Sequence, residues 1–265
     1  MKTKNEQYLR TAARAAQKAG DVIRSGFRNL EAGDIASKGK NDFVTRVDRD
    51  AEAAISEIIL KEFPGHRILA EESGDSAAAS DFLWVIDPLD GTTNFIHGIP
   101  HFAVSLALLE NDRVVFGLIY EPLSGERFHA GLGQGAFLND RPIAASRTTG
   151  LDSALGATGF PFKAPGQAAA YAAAFKNLLS KCKDMRRCGS AALDLAYTAC
   201  GRYDFFWEAH LLPWDFMAGK LLLTEAGGLS GDFSGRELAL RTSSVLAANQ
   251  TLYPVLLKEI GKYFS

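Results

Sequence analysis

The run Phe82-Leu83-Trp84-Val85-Ile86-Asp87-Pro88-Leu89-Asp90-Gly91-Thr92-Thr93-Asn94-Phe95 drives an apolar strand into two carboxylates spaced i, i+3, followed by a glycine and two hydroxyls. A strand that buries itself should end in residues that are cheap to solvate, yet this one ends on Asp87 and Asp90, with Pro88 stiffening the turn between them. Acids that close raise each other's pKa unless a cation lies between them. Hard oxygen ligands on a stiff turn suit Mg²⁺, which keeps several waters and completes its shell with substrate phosphate. Beyond the turn, Gly91-Thr92-Thr93 offers N–H groups and hydroxyls, and a helix starting there would favour an anion. A metal beside an anion cradle points to phosphate-ester chemistry. The competing reading is an ordinary surface turn, because Asp, Pro and Gly are the usual turn formers.

Composition bounds the rest. A chain of 265 residues, 47% hydrophobic and 23% charged, can bury one substantial core or two closely fused halves. With a formal net charge of −2 and no basic tract, nucleic acid is not expected as a partner. No apolar run reaches the length of a membrane span, and Met1-Lys2-Thr3-Lys4-Asn5-Glu6 lacks the apolar core of a signal peptide. The odd set Cys182, Cys188 and Cys200 contains no C-x-x-C pair, so free thiols in a reducing cytoplasm are expected.

Leu9, Ala12, Ala13, Ala16, Ala19 and Ile23 share one face of a first helix. Residues 31–42 read as a loop or hairpin, and Val47, Ala51, Ala54, Ile55, Ile58, Ile59 and Phe63 mark a second helix stopped by Pro64-Gly65. Strands are expected at 67–70, 82–87, 103–110, 114–120, 126–131 and 135–143, with turns at Asn111-Asp112-Arg113 and Asn139-Asp140. After about residue 150 strands (154–158, 203–207, 245–248) alternate with helices (167–181, 190–199, 215–226, 251–264). Periodicity alone gives a mixed α and β chain.

Two long motifs carry a resemblance. Residues 87–95 fit D-P-[ILV]-D-G-T-x-N-[FY], and Trp214-Asp215-Phe216-Met217-Ala218-Gly219 through Thr224-Glu225-Ala226-Gly227-Gly228 fit W-D-x-x-A-G-x-x-[LIV]-x-x-E-A-G-G. The chain resembles the inositol monophosphatase family over nearly its whole length, from Lys38-Gly39 and Asp42-Phe43-Val44-Thr45 onward. The resemblance implies a layered αβαβα sandwich of the inositol monophosphatase or sugar phosphatase type, in the α+β / α/β class. It implies one domain over 1–265, an N-terminal half to about residue 150 and a C-terminal half from about 151. The activity implied is Mg²⁺-dependent hydrolysis of myo-inositol 1-phosphate or a related small polyol phosphate, inhibited by Li⁺, in a homodimer. Relatives of the same fold act on fructose 1,6-bisphosphate, histidinol phosphate, NADP or 3′-phosphoadenosine nucleotides, and a regulatory binding protein that keeps the fold is a rival of another class.

Residue roles carry over by position. Glu71, Asp87 and the Leu89 carbonyl are expected at the first metal, and Asp87, Asp90 and Asp215 at the second. By themselves, Glu71 in Glu71-Glu72-Ser73-Gly74 reads as a solvated turn and Asp215 as a helix N-cap. Glu71, Asp87, Asp90 and Asp215 bring four negative charges and a bound phosphate monoester adds about −1.5 to −2, which two Mg²⁺ leave negative and three bring near neutral. Two firm metal sites and a third, weaker one are therefore expected. Thr92 would orient a water acidified by the metals and Asp48 would take its proton through Thr92, although sequence alone makes Asp48 a helix cap. Substrate contacts are expected from Glu71, Leu89, Asp90, Gly91, Thr92, Ser190, Ala191, Glu208 and Asp215. Glu208 would grip ring hydroxyls or be a solvated loop acid, Arg186 would reach substrate or pair structurally, and Lys38 would sit on a mobile loop near the phosphate.

Three features are set aside. His97 and His101 have Gly98 and Pro100 between them, so no helix presents the two to zinc. Gly131-x-Gly133-x-Gly135 lacks the dinucleotide fingerprint, and no G-x-x-x-x-G-K-[ST] loop exists.

Overall fold

The structure is a computed structural model and describes residues 2–39, 42–76, 79–162 and 165–264. In chain order its first half holds α1 (Lys2–Gly26), β1 (Ile35–Gly39), β2 (Asp42–Thr45), α2 (Arg46–Glu62), β3 (Arg67–Ala70), β4 (Gly74–Asp75), β5 (Phe82–Asp90), α3 (Thr92–Ile96), β6 (Ala103–Glu110), β7 (Arg113–Glu121), β8 (Glu126–Gly131), β9 (Ala136–Leu138) and β10 (Arg141–Ile143). The second half holds β11 (Leu155–Thr158), α4 (Ala168–Leu179), β12 (Asp184–Arg186), α5 (Ala191–Ala199), β13 (Phe205–Ala209), α6 (Pro213–Glu225), β14 (Gly228–Gly231), β15 (Ser244–Asn249) and α7 (Leu252–Gly261). Strands β1 and β2 pair antiparallel, so the segment read as a loop or hairpin over 31–42 is strand-bearing and its second strand runs on to Thr45.

The larger sheet runs β10-β9-β8-β7-β6-β5-β3-β4, with only β3 and β5 parallel. Two of its hairpin turns use Asn111-Asp112 and Asn139-Asp140, all four with positive φ, the conformation that lets a two-residue turn follow the strand twist. The smaller sheet runs β12-β11-β13-β15-β14. Strands β12 and β14, and the short β4, have no counterpart in the sequence expectation; each is four residues or fewer and carries too little pattern to register.

Alternation along the strands sorts the side chains into layers. Trp84, Ile86, Val104, Leu106 and Leu108 face α1 and α2, whose Ala12, Ala16, Ala19, Ala51 and Ile55 are fully buried against them. Leu83, Val85, Ala107 and Leu109 face the other way, onto α5 and α6. The inner side of the smaller sheet (Ala157, Phe206, Val245, Ala247) closes over the same two helices, and its outer side packs Phe205, Trp207 and Leu246 against α4 and α7. The chain is thus a five-layer αβαβα sandwich. Helix α6, covered on both sides, is apolar nearly all round, as a middle layer requires.

Strand β5 continues through the Asp-Pro-Leu-Asp segment instead of ending at residue 87. Asp87 pairs with Ser105 and Asp90 with Ala103, so three steps along β5 match two along β6. That extra residue is a β-bulge. In a regular strand, i and i+3 point to opposite faces. The bulge shifts the phase, so Leu89 joins the layer under α1 and α2, and Asp90 comes round to the side of Asp87. Pro88, which has no N–H to give a ladder, sits where the pairing is interrupted.

Candidate active site

Both acids of β5 now face the middle layer, at the point where α6 begins. Pro213 occupies the first turn of α6, a position suited to its fixed φ and missing N–H. Asp215 is consequently the third helical residue and not the N-cap expected for it; Leu212 is the cap, and its N–H donates to Asp215 Oδ2 at 2.6 Å. Ser105 of β6 donates to the Trp214 carbonyl at 2.9 Å and ties this helix start to the larger sheet. Carboxylate oxygens of Asp87, Asp90 and Asp215 lie within 4.8 Å of one another. Glu71, at the end of β3, acts electrostatically on both Asp87 and Asp215.

Such crowding is costly without compensation. Burial, then Glu71, Asp90 and Asp215, push the Asp87 carboxyl well above the carboxylate range. Burial and Asp90 do the same to Asp215. Asp90 rises only to about 6, because burial is opposed by donors at the start of α5: Ser190 Oγ at 2.5 Å and the Ala192 N–H at 2.8 Å, both on Oδ2. Ser190 itself is the N-cap of α5 and accepts from the Leu193 N–H. Ser190 and Ala191 therefore stand at the acidic cluster, on a helix start.

Gly91 takes φ 98°, open to glycine, and a Cβ there would lie 3.0 Å from the His101 carbonyl. It caps α3, whose first residue is Thr92. Thr92 Oγ1 lies 3.0 Å from Asp48 Oδ1 and 3.0 Å from the Leu89 carbonyl. Asp48 is nearly fully buried as the third residue of α2, and its Oδ2 accepts from the Thr45 N–H at 2.8 Å in a reciprocal capping box. The helix-cap reading and the site reading of Asp48 thus hold together, one oxygen for each. Burial raises its pKa, and the bonds from Thr45 and Thr92 partly offset that.

These residues floor a cavity of about 670 Å³, a volume suited to a small-molecule ligand. Phe43, Phe160 and Phe162 stand at its mouth, 37%, 38% and 55% exposed, and Arg187 lies over the last two rings at 5.6 and 5.5 Å. A side pocket of about 190 Å³ is lined by Glu208 with Glu71, Asp90 and Asp215. Glu208 belongs to β13, on the side of that strand shared with Phe206, and is no loop acid. Its carboxylate fills the space a Cβ on Gly159 would need, 1.8 Å from that point, and burial pushes its pKa up to about 8.

Of the two roles open to Arg186, the structure shows the pairing: it is exposed and bonded to Asp184 at 2.6 Å on the edge strand β12, while its neighbour Arg187 lines the cavity. Strand β12 ends at Arg186, so Arg187 opens the loop toward α5, and the sequence Arg186-Arg187 gives no sign of where that break falls. Lys38 lies on β1, and its side chain falls outside the described residues. Glu52 was not singled out from the sequence; its buried carboxylate accepts from the Glu72 and Ser73 N–H groups at 2.8 and 2.9 Å and holds the turn that carries Glu71. Asn94 was quoted only as part of a motif, yet its amide bonds the carbonyls of His101 at 2.7 Å and Cys188 at 2.9 Å. Among the described residues, no helix is long and apolar enough to cross a membrane, and all three cysteines are free.

Comparison with known proteins places this geometry among relatives. The model of the inositol monophosphatase family matches residues 4–264. A protein of Salmonella typhimurium named Nus factor SuhB is 48% identical over 250 residues, 94% of each chain. Among solved structures, the extragenic suppressor protein suhB from Bartonella henselae superposes with a TM-score of 0.91 at 39% identity, covering 96% of this chain and 98% of that one. An inositol monophosphatase from Anabaena gives a TM-score of 0.87, also at 39% identity, covering 97% of this chain and 96% of the other.

Proposed function

The chain belongs to the inositol monophosphatase family, and from that premise we propose that it is a Mg²⁺-dependent phosphomonoesterase acting on myo-inositol 1-phosphate and related small polyol phosphates. The observation that carries the reading is the convergence of Asp87, Asp90 and Asp215 beside the Thr92–Asp48 hydrogen bond, at the floor of one cavity. The donor set fits the ion: hard oxygens, buried, with Arg187 the one lysine or arginine among the described cavity-lining residues. Asp87, Asp90, Asp215, Glu71 and the Leu89 carbonyl would hold it, at two firm positions and a third filled with substrate. When bound, Mg²⁺ supplies the positive charge a phosphate needs and acidifies an attacking water.

The chain's own groups do the rest. Thr92 has one hydroxyl proton and two acceptors at 3.0 Å. Donating it to Asp48 leaves the threonine oxygen free to accept from a water in the cavity, orienting that water and passing its proton toward a carboxylate whose raised pKa suits a base. Gly91 would present its N–H to the phosphate side, and the start of α5, with Ser190 and Ala191, would meet the substrate hydroxyls. Glu208 would accept from ring hydroxyls, and Arg187 would close the wall above them. Asp87 comes from the first half and Asp215 from the second, so we take residues 1–265 as one domain of two halves. A cytoplasmic location and a homodimer complete the proposal.

Phosphate release from a panel tests it: myo-inositol 1-phosphate, fructose 1,6-bisphosphate, histidinol phosphate, NADP and a 3′-phosphoadenosine nucleotide. The inositol ester should give the highest kcat/KM. A different best substrate would move the assignment within the fold, and no release from any would remove the enzyme reading. The name of the Salmonella relative, Nus factor, favours a second reading, a regulatory binding protein, for which nucleic acid is no longer an unexpected partner. Function of an Asp90→Asn variant in place of the wild type, with turnover lost, would separate that role from catalysis.

A further inference from the structure

His101, set aside from the sequence as a zinc ligand alongside His97, has other company in the fold. A ring nitrogen of His101, the sulfur of Cys188 and a carboxylate oxygen of Asp194 all lie within 4.8 Å of one another. They come from three segments: the loop between α3 and β6, the loop between β12 and α5, and α5 itself. We propose that these three side chains form a second cation site, separate from the acidic cluster and selective for Zn²⁺ or a similarly borderline-soft divalent ion.

Two buried polar atoms at this spot lack a protein partner. Asp194 is 1% exposed, and neither its Oδ1 nor His101 Nε2 has a hydrogen-bond partner among the described residues. Buried polar atoms are nearly always satisfied, and an orphaned pair facing a thiol calls for an ion or a water. An acid inside the otherwise apolar start of α5, between Leu193 and Leu195, serves no packing purpose. The donor set then selects the ion: imidazole, thiolate and carboxylate are ligands of Zn²⁺, whereas Mg²⁺ takes oxygen alone. A thiolate and a carboxylate balance a divalent charge, which is what allows ionised groups to remain buried.

The surroundings are built to support it. The Asn94 amide clamps the backbones of His101 and Cys188 together, and the Tyr203 hydroxyl lies 3.5 Å from the Cys188 sulfur, placed to donate to a thiolate. Ligand atoms around tetrahedral zinc are about 3.5 Å apart, a spacing within reach of atoms that already lie within 4.8 Å of one another. Coordination would tie Cys188 to His101 and so steady its neighbours Arg187 and Gly189, which line the cavity. The site depends on no assumption about the substrate.

The test is metal uptake by the stripped full-length protein in excess Mg²⁺. Co²⁺ serves as a spectroscopic stand-in, since a thiolate ligand gives it a charge-transfer absorption that carboxylates cannot produce. One equivalent of Co²⁺ per chain should bind with that absorption, Zn²⁺ should displace it, and Zn²⁺ should protect Cys188 from a thiol reagent. Cys188→Ser should abolish the absorption, and His101→Asn should weaken binding more than about 100-fold, beyond the 10–100-fold loss typical of removing an outer hydrogen-bond partner. Cys182→Ser, Cys200→Ser and Asp87→Asn should retain it. No absorption in the wild type, or one that survives in Cys188→Ser, would overturn the proposal and leave a trapped water as the partner of these groups.

Discussion

The floor and the wall of the cavity are built on different principles. Asp87, Asp90 and Asp215 sit on strand β5 and helix α6, inside the hydrogen-bond ladder and the middle core layer. Phe160, Phe162 and Arg187 sit on connections, and their positions depend on contacts far apart in sequence, such as Arg187 over the two rings. The floor fixes where charge can be placed; the wall decides what fits above it. Chemistry should therefore be sensitive to the floor, and substrate preference to the wall.

The largest effect should come from the floor. Asp90→Asn removes a metal-facing oxygen but keeps the amide's shape against Ser190 and Ala192, so kcat should fall by at least about 10³-fold, at the upper end for losing one preorganised electrostatic stabiliser. Steady-state turnover with circular dichroism as a fold control checks it. A fall under tenfold would place the acid outside the chemistry.

Thr92 and Asp48 come next. If they act as one relay, Thr92→Ala and Asp48→Asn should each lower kcat about 10²-fold, within the range of acid–base assistance, and the double variant should be scarcely worse than the poorer single one. Mg²⁺ affinity should barely change. Asp48→Asn should also lower thermal stability, since one of its oxygens closes the capping box of α2. Strictly multiplicative losses in kcat would reduce Asp48 to that cap.

A smaller change should come from above the floor, where Glu208 on β13 borders the wall residues Phe160, Phe162 and Arg187. Glu208→Gln should raise KM for inositol phosphate by up to about tenfold, the order of one hydrogen bond, and leave a simple aryl phosphate nearly unaffected. Equal loss on both substrates would make Glu208 structural and leave substrate preference to the wall alone.

The smallest effect is one of stability. Glu208 and Asp90 have folded pKa values raised to about 8 and about 6, so in metal-free protein each favours the folded state while protonated. Their contribution is present below the unfolded values near 4 and is lost as pH rises through the folded ones. Chelated protein should lose Tm between about pH 5 and pH 8, and Mg²⁺ should flatten that slope. A chelated Tm that rises across this window would contradict the crowding of these acids.

How much of this was readable follows the same division. The order of elements was legible from periodicity and turn residues, the layering only through the family resemblance, and Asp87, Asp90 and Asp215 because they lie in the two continuous motifs that carry it. The bulge was not, since Asp-Pro-Leu-Asp reads as a turn until the pairing with β6 reveals one extra residue. Asp215 looked like a cap because sequence does not show Pro213 starting the helix two residues earlier. Glu208 read as either a substrate ligand or a loop acid until β13 proved to extend to Ala209. Arg187 was missed beside Arg186, because the sequence does not show that β12 ends between them and leaves Arg187 on the loop that borders the cavity. His101, Cys188 and Asp194 are separated by up to 93 residues, so no local pattern joins them.

Phosphate release by chelated protein tests the central claim most directly. With myo-inositol 1-phosphate as substrate and EDTA in excess, turnover should vanish, and titrated Mg²⁺ should restore it in the wild type but not in Asp90→Asn. Full turnover in excess EDTA would show that the buried acids of the floor work without a metal and would contradict the account.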